Sequence, residues 1–143
     1  GRREIAAEDY FLGLYDTART AGELLVEVRV PVRRSGQVSV FMELAQRQGD
    51  FAIAGVACHG RIGDGEMRLV YFASEAKPTL ARNAMAALGS APWPGCRDQV
   101  LAALAEDLDP MSNLHGGAAM KLHLQRVLTG RALDAAVERA GAS

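Results

Sequence analysis

The chain has little of the chemistry on which cysteine-based architectures depend. Its 143 residues include only two cysteines, Cys58 and Cys96. Two thiols cannot form a disulfide framework or a four-thiolate metal cluster. We therefore expect a reduced, intracellular setting, and we assign the chain to the cytoplasm.

The chain also lacks an excess of charge of either sign and lacks long apolar runs. Lys and Arg number 16 against 17 Asp and Glu, and the two signs are interspersed. This balance gives no electrostatic footprint for nucleic acid or an anionic membrane. No apolar run approaches the roughly 18 residues of a membrane span. We expect no nucleic-acid or membrane partner. The start lacks both a secretory leader and a methionine, which suggests a processed or truncated piece.

Motifs for catalysis or metal binding are absent as well. The sequence has no G-x-S-x-G, H-E-x-x-H, C-x-x-C or P-loop pattern. Gly63-Asp64-Gly65 is better interpreted as a hairpin turn than as a phosphate loop. Cys58 and His59 are adjacent in a predicted strand, so they point to opposite faces and cannot easily share a metal. His115 and His123 lie eight residues apart, and we expect no metal site there either.

The chain is organised around two apolar runs that meet at a polar step. Residues 38–45 alternate apolar and other side chains, as in a half-buried strand. Residues 51–58 are continuously apolar and small, which predicts a strand covered on both sides. After the glycine turn, residues 67–72 form a third apolar run. Three strands joined by tight links predict an antiparallel meander.

The period changes to that of helices after the strands. Pro78 is suited to a helix start, with Leu80, Ala84 and Leu88 at helical spacing and Gly89 as its end. Two further helices are predicted around residues 100–108 and 120–128. The fold class is therefore α+β, a three-stranded antiparallel sheet packed against a three-helix bundle.

The N-terminal part carries a separate pattern. Residues 1–12 predict a strand end and one helical turn, and residues 23–31 alternate like a strand that Pro31 stops. The polar connector that follows marks a domain boundary. We divide the chain into residues 1–32 and 33–143.

Several single residues carry weaker expectations. Cys96, near a helix start, is expected at the surface or in a capping role rather than as a reactive thiol. Lys121, Arg126 and Arg131 are expected on a solvated helix face. Trp93, between two prolines, is expected to pin a loop.

The polar step itself is the most informative feature. Arg47 and Asp50 flank a glycine beside Phe51, and the residues after Phe51 are too small to cover its ring. An aromatic ring in this setting is suited to a flat heterocycle. The alternative is a hairpin in which Arg47 pairs with Asp50 and Phe51 belongs to the core.

The run RQGDFAIAGVA, residues 47–57, resembles the R-x-G-D-[FY]-A-x-A-x-x-A signature of the flavoprotein (medium) subunit of molybdenum hydroxylases, the carbon monoxide dehydrogenase and xanthine dehydrogenase family. Other stretches resemble the family in the same order. They are the opening GRREIAAEDYFLG, Thr17 with GELLVEVRVP (22–31), a segment ending in Lys77-Pro78, and DPMSNLHGGA (109–118) followed by residues 122–132.

The resemblance implies the C-terminal domain of an FAD-carrying electron-transfer subunit, preceded in residues 1–32 by the tail of the FAD-binding domain. Phe51 matches the aromatic residue that contacts the flavin, Asp50 and Arg47 shape its edge, and Lys77 is a further candidate. The implied partners are a molybdenum-cofactor large subunit, an iron-sulfur small subunit and the upstream FAD-binding domain.

The glycine-rich segments with which the family holds the FAD pyrophosphate are missing from this chain, so we expect weak or no FAD binding by the chain alone. We also expect the isolated chain not to be catalytic. The alternative is a stand-alone protein-interaction module of the same fold that does not bind flavin.

Overall fold

A computed structural model describes residues 1–142 and shows an α+β fold. The elements are, in chain order, α1 (Ala7–Tyr10), β1 (Phe11–Gly13), β2 (Asp16–Thr17), β3 (Val38–Ala45), β4 (Ala52–Gly60), β5 (Arg68–Phe72), β6 (Thr79–Leu80), α2 (Arg82–Leu88), α3 (Arg97–Asp107) and α4 (Ala118–Gly141). None of the helices in this described part is long and apolar enough to span a bilayer.

The main sheet is an antiparallel meander in the order β3-β4-β5-β6. The three predicted strands are confirmed, but the three-stranded count is wrong because β6 adds a fourth, short strand. Leu80 pairs with Val70, and the Ala81 amide donates to the Leu69 carbonyl at 3.0 Å. These bonds hold the chain extended past Pro78, so α2 begins at Arg82 rather than at the proline.

One face of the sheet forms the core with the helices. Val40, Cys58 and Leu69 make one row across the strands of this inner face. The next row joins Met42, Val56 and Tyr71 by the same pairing. Buried helix residues pack against these rows, namely Ala84, Leu88, Val100, Leu104, Leu128, Ala132, Leu133 and Ala136. The predicted packing of helices on one face of the sheet is therefore present.

The two shorter helices are joined by a side-chain cap. Both carboxylate oxygens of Asp107, the last residue of α3, accept backbone N–H bonds from the start of α2. Asn83 donates at 3.0 Å and Ala84 at 2.8 Å. These bonds satisfy two of the four amides that a helix start leaves without partners. Asp107 thus fixes the α2–α3 pair.

The N-terminal 37 residues hold only α1 and the β1–β2 hairpin. The predicted helical turn is confirmed, but the predicted strand over residues 23–31 is wrong, because no strand within residues 1–142 pairs with it. Its apolar side chains stand in solvent, from 58% exposed at Leu25 to 81% at Val30. Hydrogen bonds from Arg3 hold this segment and lower the pKa of Glu23 to about 2.

Three expectations about single residues are corrected and two are confirmed. Lys121 lies in the interior rather than on a solvated face, and Arg126 is half-buried with its Nε donating to the Leu101 carbonyl at 3.0 Å. Only Arg131 is exposed as predicted. Cys96 is 1% exposed and makes no side-chain cap, so it is a core residue. Trp93 pins its loop, because its indole donates to Asp134 at 2.8 Å.

Candidate functional site

The polar step between β3 and β4 forms a tight turn. The Asp50 amide donates to the Arg47 carbonyl at 3.1 Å, which closes four residues into one turn. Gly49, the third residue of the turn, has φ of 84°, a value that a type II turn requires and glycine supplies without strain. A Cβ at this position would meet open space, so conformation and not crowding selects the glycine.

Phe51 follows this turn and stands in solvent. Its side chain is 93% exposed, while its amide donates to Asp50 Oδ1 at 2.8 Å. No ion pair joins Arg47 to Asp50 in the described structure. The alternative in which these two residues pair and Phe51 enters the core is therefore wrong. The turn instead presents a bare aromatic ring beside a fixed carboxylate.

A bulge in β4 sets the direction of the chain at this turn. Leu44 pairs with Ala54 and Ala45 pairs with Ala52, which leaves Ile53 as an extra residue on β4. A bulge breaks the strict alternation of faces and re-aims the residues beside it. The bulge lies two residues from Phe51, so it helps determine how the ring is presented.

Lys77 lies at the same end of the sheet as this turn. In the antiparallel register Gly55 pairs with Phe72, so β4 begins where β5 ends. The 46–51 turn and the 73–78 segment therefore share one end of the sheet. The structure thus places Arg47, Asp50, Phe51 and Lys77 at the same end of the sheet, while their role remains a prediction.

The 73–78 segment also borders a cleft of about 610 Å³. Its lining residues are Leu14, Phe72, Ala73, Glu75, Ala76, Lys77, Pro78, Met111, Ser112 and Asn113. Ala73 has φ of 71°, a left-handed conformation that costs a non-glycine residue of the order of 1–2 kcal/mol. The surroundings must hold this strained residue in place, and such strain is commonest at functional sites.

A string of buried polar residues on α4 supports this wall of the cleft. The Thr129 hydroxyl donates its proton to the Gln125 carbonyl. The Tyr71 hydroxyl is therefore the donor in its 2.6 Å hydrogen bond to Thr129 Oγ1. The Gln125 amide bonds Ser74 Oγ. Lys121 Nζ donates to the Met111 carbonyl at 2.7 Å. The sequence offered one signal for this string, polar residues at 121, 125 and 129, which recur every fourth position and share one helix face.

The thiols and imidazoles do not converge. Burial raises the pKa of the Cys58 thiol, which donates to the Val40 carbonyl on the inner face at 3.6 Å. His59 lies on the opposite face and bonds Ser39. His115 and His123 are both exposed. Residues 1–142 contain no group of three or more His, Cys, Asp or Glu that could hold a metal ion.

The sequence of this chain is similar to those of several known proteins. The chain is similar to the medium chain of carbon monoxide dehydrogenase from Hydrogenophaga pseudoflava, with 30% identity over 97% of this chain and 50% of the relative. The nicotine 6-hydroxylase medium subunit of Paenarthrobacter nicotinovorans is 32% identical over 93% of this chain and 48% of its own length.

Solved structures show the same relationship. A chain of carbon monoxide dehydrogenase from Hydrogenophaga pseudoflava superposes with a TM-score of 0.89 at 30% identity, covering 97% of this chain and 50% of that one. Quinoline 2-oxidoreductase from Pseudomonas putida 86 gives 0.84 at 28% identity, covering 96% and 49%. The chain therefore spans about half the length of the relatives it matches.

The fold and the site define a class of α+β domain in which a tight turn at one end of the sheet is followed by an exposed aromatic residue. Residues 39–136 match the CO dehydrogenase flavoprotein C-terminal domain, and the chain belongs to that family, the C-terminal domain of the medium, FAD-binding subunit of molybdenum hydroxylases.

Proposed function

We propose that this chain forms the flavin-covering half of the FAD-carrying, electron-transfer subunit of a molybdenum hydroxylase. The observation that carries the proposal is Phe51, an apolar ring that is 93% exposed on a hydrogen-bonded turn. The exposed ring offers flat apolar surface whose burial against a ligand would be favourable. A flat flavin ring would remove that surface from water.

Each predicted site residue has a distinct part in this proposal. Phe51 would exclude water from one side of the flavin, through apolar contact only, because phenylalanine lacks a hydroxyl. Asp50 would hold the turn through its bond to the Phe51 amide. Arg47 and Lys77, which form no ion pair within residues 1–142, would add positive charge at the flavin edge. The bound flavin supplies the electron-transfer chemistry.

The residues of this chain fit one wall of such a site. Phe51 and its turn offer a flat contact, but the sequence has no glycine-rich cradle for a pyrophosphate. We therefore assign FAD binding to the complete subunit, and weak or no binding to this chain alone. In this scheme residues 1–32 complete the upstream FAD-binding domain, residues 33–143 form the covering domain, and the isolated chain is not catalytic.

The proposed assembly follows from the family. The partners are a molybdenum-cofactor large subunit and an iron-sulfur small subunit, and the complex is cytoplasmic. The matched relatives include carbon monoxide dehydrogenase and nicotine 6-hydroxylase medium subunits. No observation favours the alternative of a stand-alone interaction module without flavin.

Titration with FAD tests the proposal. This chain is compared with a form extended upstream to the full length of its relatives, and flavin fluorescence quenching reports binding. We expect only the extended form to bind. If neither form binds, Arg47, Asp50, Phe51 and Lys77 are surface residues and the flavin-covering role is wrong.

A further inference from the structure

The outer face of the sheet, opposite the core, carries an apolar row. Phe41, Ala57, Val70 and Leu80 are paired in register across all four strands. Ala57, Val70 and Leu80 are half-buried, and Phe41 is 61% exposed. We call these four residues the outer row. On an antiparallel sheet that faced only water, this row would be polar.

Polar residues flank the outer row on one side. The neighbouring row runs through Ser39, His59 and Arg68, all exposed, and Ser39 bonds the His59 ring at 2.8 Å. An apolar centre with a polar margin is the pattern of a protein interface. It differs from the single scattered apolar residues that any surface shows.

On the other side of the outer row, Phe41 of the row stacks on Phe72, which lies outside it. The rings of Phe41 and Phe72 stack at 5.2 Å between centroids, with 15° between their planes. Phe72 lies across Gly55, where a Cβ would come within 2.2 Å of the ring. Glycine at this position therefore allows the Phe72 ring to lie flat on the sheet. Stacked on it, Phe41 forms a broad aromatic platform that is left open to solvent.

The N-terminal segment adjoins the same platform. Leu14, at the tip of the β1–β2 hairpin, lines one cleft together with Phe72. Glu8, on α1, bonds Arg82 at 2.6 Å. Downstream of the hairpin, the unpaired 24–32 segment also exposes apolar side chains. The outer row and the 24–32 segment are thus two exposed apolar surfaces of the chain.

We infer that the outer row and the Phe41–Phe72 platform are the surface on which the other half of the same subunit packs. The inference rests on the proposed function, since it takes this chain as one half of a longer polypeptide. The Hydrogenophaga carbon monoxide dehydrogenase chain is twice the matched length, so it contains such a half. A covalently linked partner has a high effective concentration at this face, which a separate subunit or a second copy lacks.

Thiol labelling of the complete medium subunit tests this inference. Cys58 and Cys96 are both buried, so neither competes for a thiol reagent. Glu43→Cys places a probe on the outer face beside Gly55, and Ala102→Cys places a control on the exposed side of α3. Labelling of the parent subunit gives the background from its upstream half. We expect Glu43→Cys to react at least about tenfold more slowly than Ala102→Cys.

The comparison of subunit and assembled enzyme separates the occupants. Protection of Glu43→Cys in the isolated complete subunit supports the inference. Equal labelling rates for the two probes in that subunit overturn the inference. If protection of Glu43→Cys then arises only in the assembled enzyme, the face binds a partner subunit instead. Dilution of the subunit must leave the protection unchanged, since concentration-dependent protection assigns the face to a second copy. The flavin content of the parent subunit is measured separately, so loss of the flavin role and loss of this surface give different results.

Discussion

Lys121 Nζ and the Met111 carbonyl oxygen lie 2.7 Å apart, and Lys121 is only 1% exposed. The Met111 amide in turn donates to the Ser74 carbonyl at 2.8 Å. The Met111 backbone is therefore tied on one side to α4 and on the other to the turn after β5. These two hydrogen bonds to the Met111 backbone hold the wall of the cleft against the helix layer.

Replacement of Lys121 by methionine should lower the free energy of unfolding by about 1–3 kcal/mol, because the Met111 carbonyl loses its donor. Chemical denaturation monitored by circular dichroism measures the change. Arg131→Met on the exposed side of the same helix is the control, and it should stay within about 0.5 kcal/mol of the parent. Equal effects of the two substitutions would show that Lys121 has no special role.

Tyr71 should make the protein less stable at alkaline pH. Burial raises the pKa of its phenol, while the unfolded chain ionises at its ordinary pKa of about 10. Above that pH the unfolded state releases a proton that the folded state keeps, so stability falls as pH rises. Tyr71→Phe should cost about 1 kcal/mol at pH 8, and the gap should close by pH 11. Unfolding curves across this range test it, and Cys58 contributes equally to both proteins.

Asp134 should contribute stability at neutral pH that acid removes. The hydrogen bond from Arg97, reinforced by that from Trp93, lowers the pKa of this carboxyl below its ordinary value of about 3.9. The contribution is present above that value and is lost as pH falls through the folded pKa. Asp134→Asn should cost less than about 1 kcal/mol at pH 7, because solvent screens the half-exposed pair.

The only tryptophan reports the Asp134 measurement directly, because its indole donates to that carboxylate. Emission of Trp93 followed through unfolding gives the stability of parent and variant at each pH. Glu138→Gln, an exposed change on the same helix, is the control. A stability difference between parent and Asp134→Asn that persists unchanged below pH 3 would contradict the assignment.

Phe51→Ala in the complete subunit should weaken flavin binding and leave the fold intact. The side chain is 93% exposed, so its loss should change the free energy of unfolding of the flavin-free protein by no more than about 0.5 kcal/mol. Loss of an aromatic contact should weaken flavin affinity about tenfold or less. Fluorescence titration measures it, and Phe51→Tyr should retain affinity. Identical flavin affinity and reduction rate in Phe51→Ala would remove the residue from the site.

The three central strands could be predicted because their signals are local. Alternation in β3, the apolar run of β4 and the Asp64-Gly65 turn before β5 each lie within a few residues. The two-residue strand β6 was missed because so short a segment carries no period. The 23–31 segment has the period of a strand, yet a strand also needs a neighbour to bond. Sequence pattern does not show whether that neighbour belongs to the same chain.

The site was predictable in part for the same reason. The turn and the isolated ring of Phe51 follow from adjacent residues, whereas the place of Lys121 depends on a carbonyl ten positions away in a loop. Charge alone indicated solvent for this residue. The outer row also lay beyond sequence reasoning, because it exists only once four strands are set in register.

Residue order along the chain separates the sheet from its cover. The last strand of the meander to meet the core ends at Phe72, but α4, which packs on β3 and β4, starts only at Ala118. A ribosome must add roughly 60 residues after Phe72 before Leu133 exists, which takes about 3–12 s at ordinary rates of synthesis. Throughout that interval Val40 and Val56 have no α4 to cover them. The nascent sheet is therefore a sticky intermediate, and messages truncated before Ala118 should yield aggregates rather than a smaller domain.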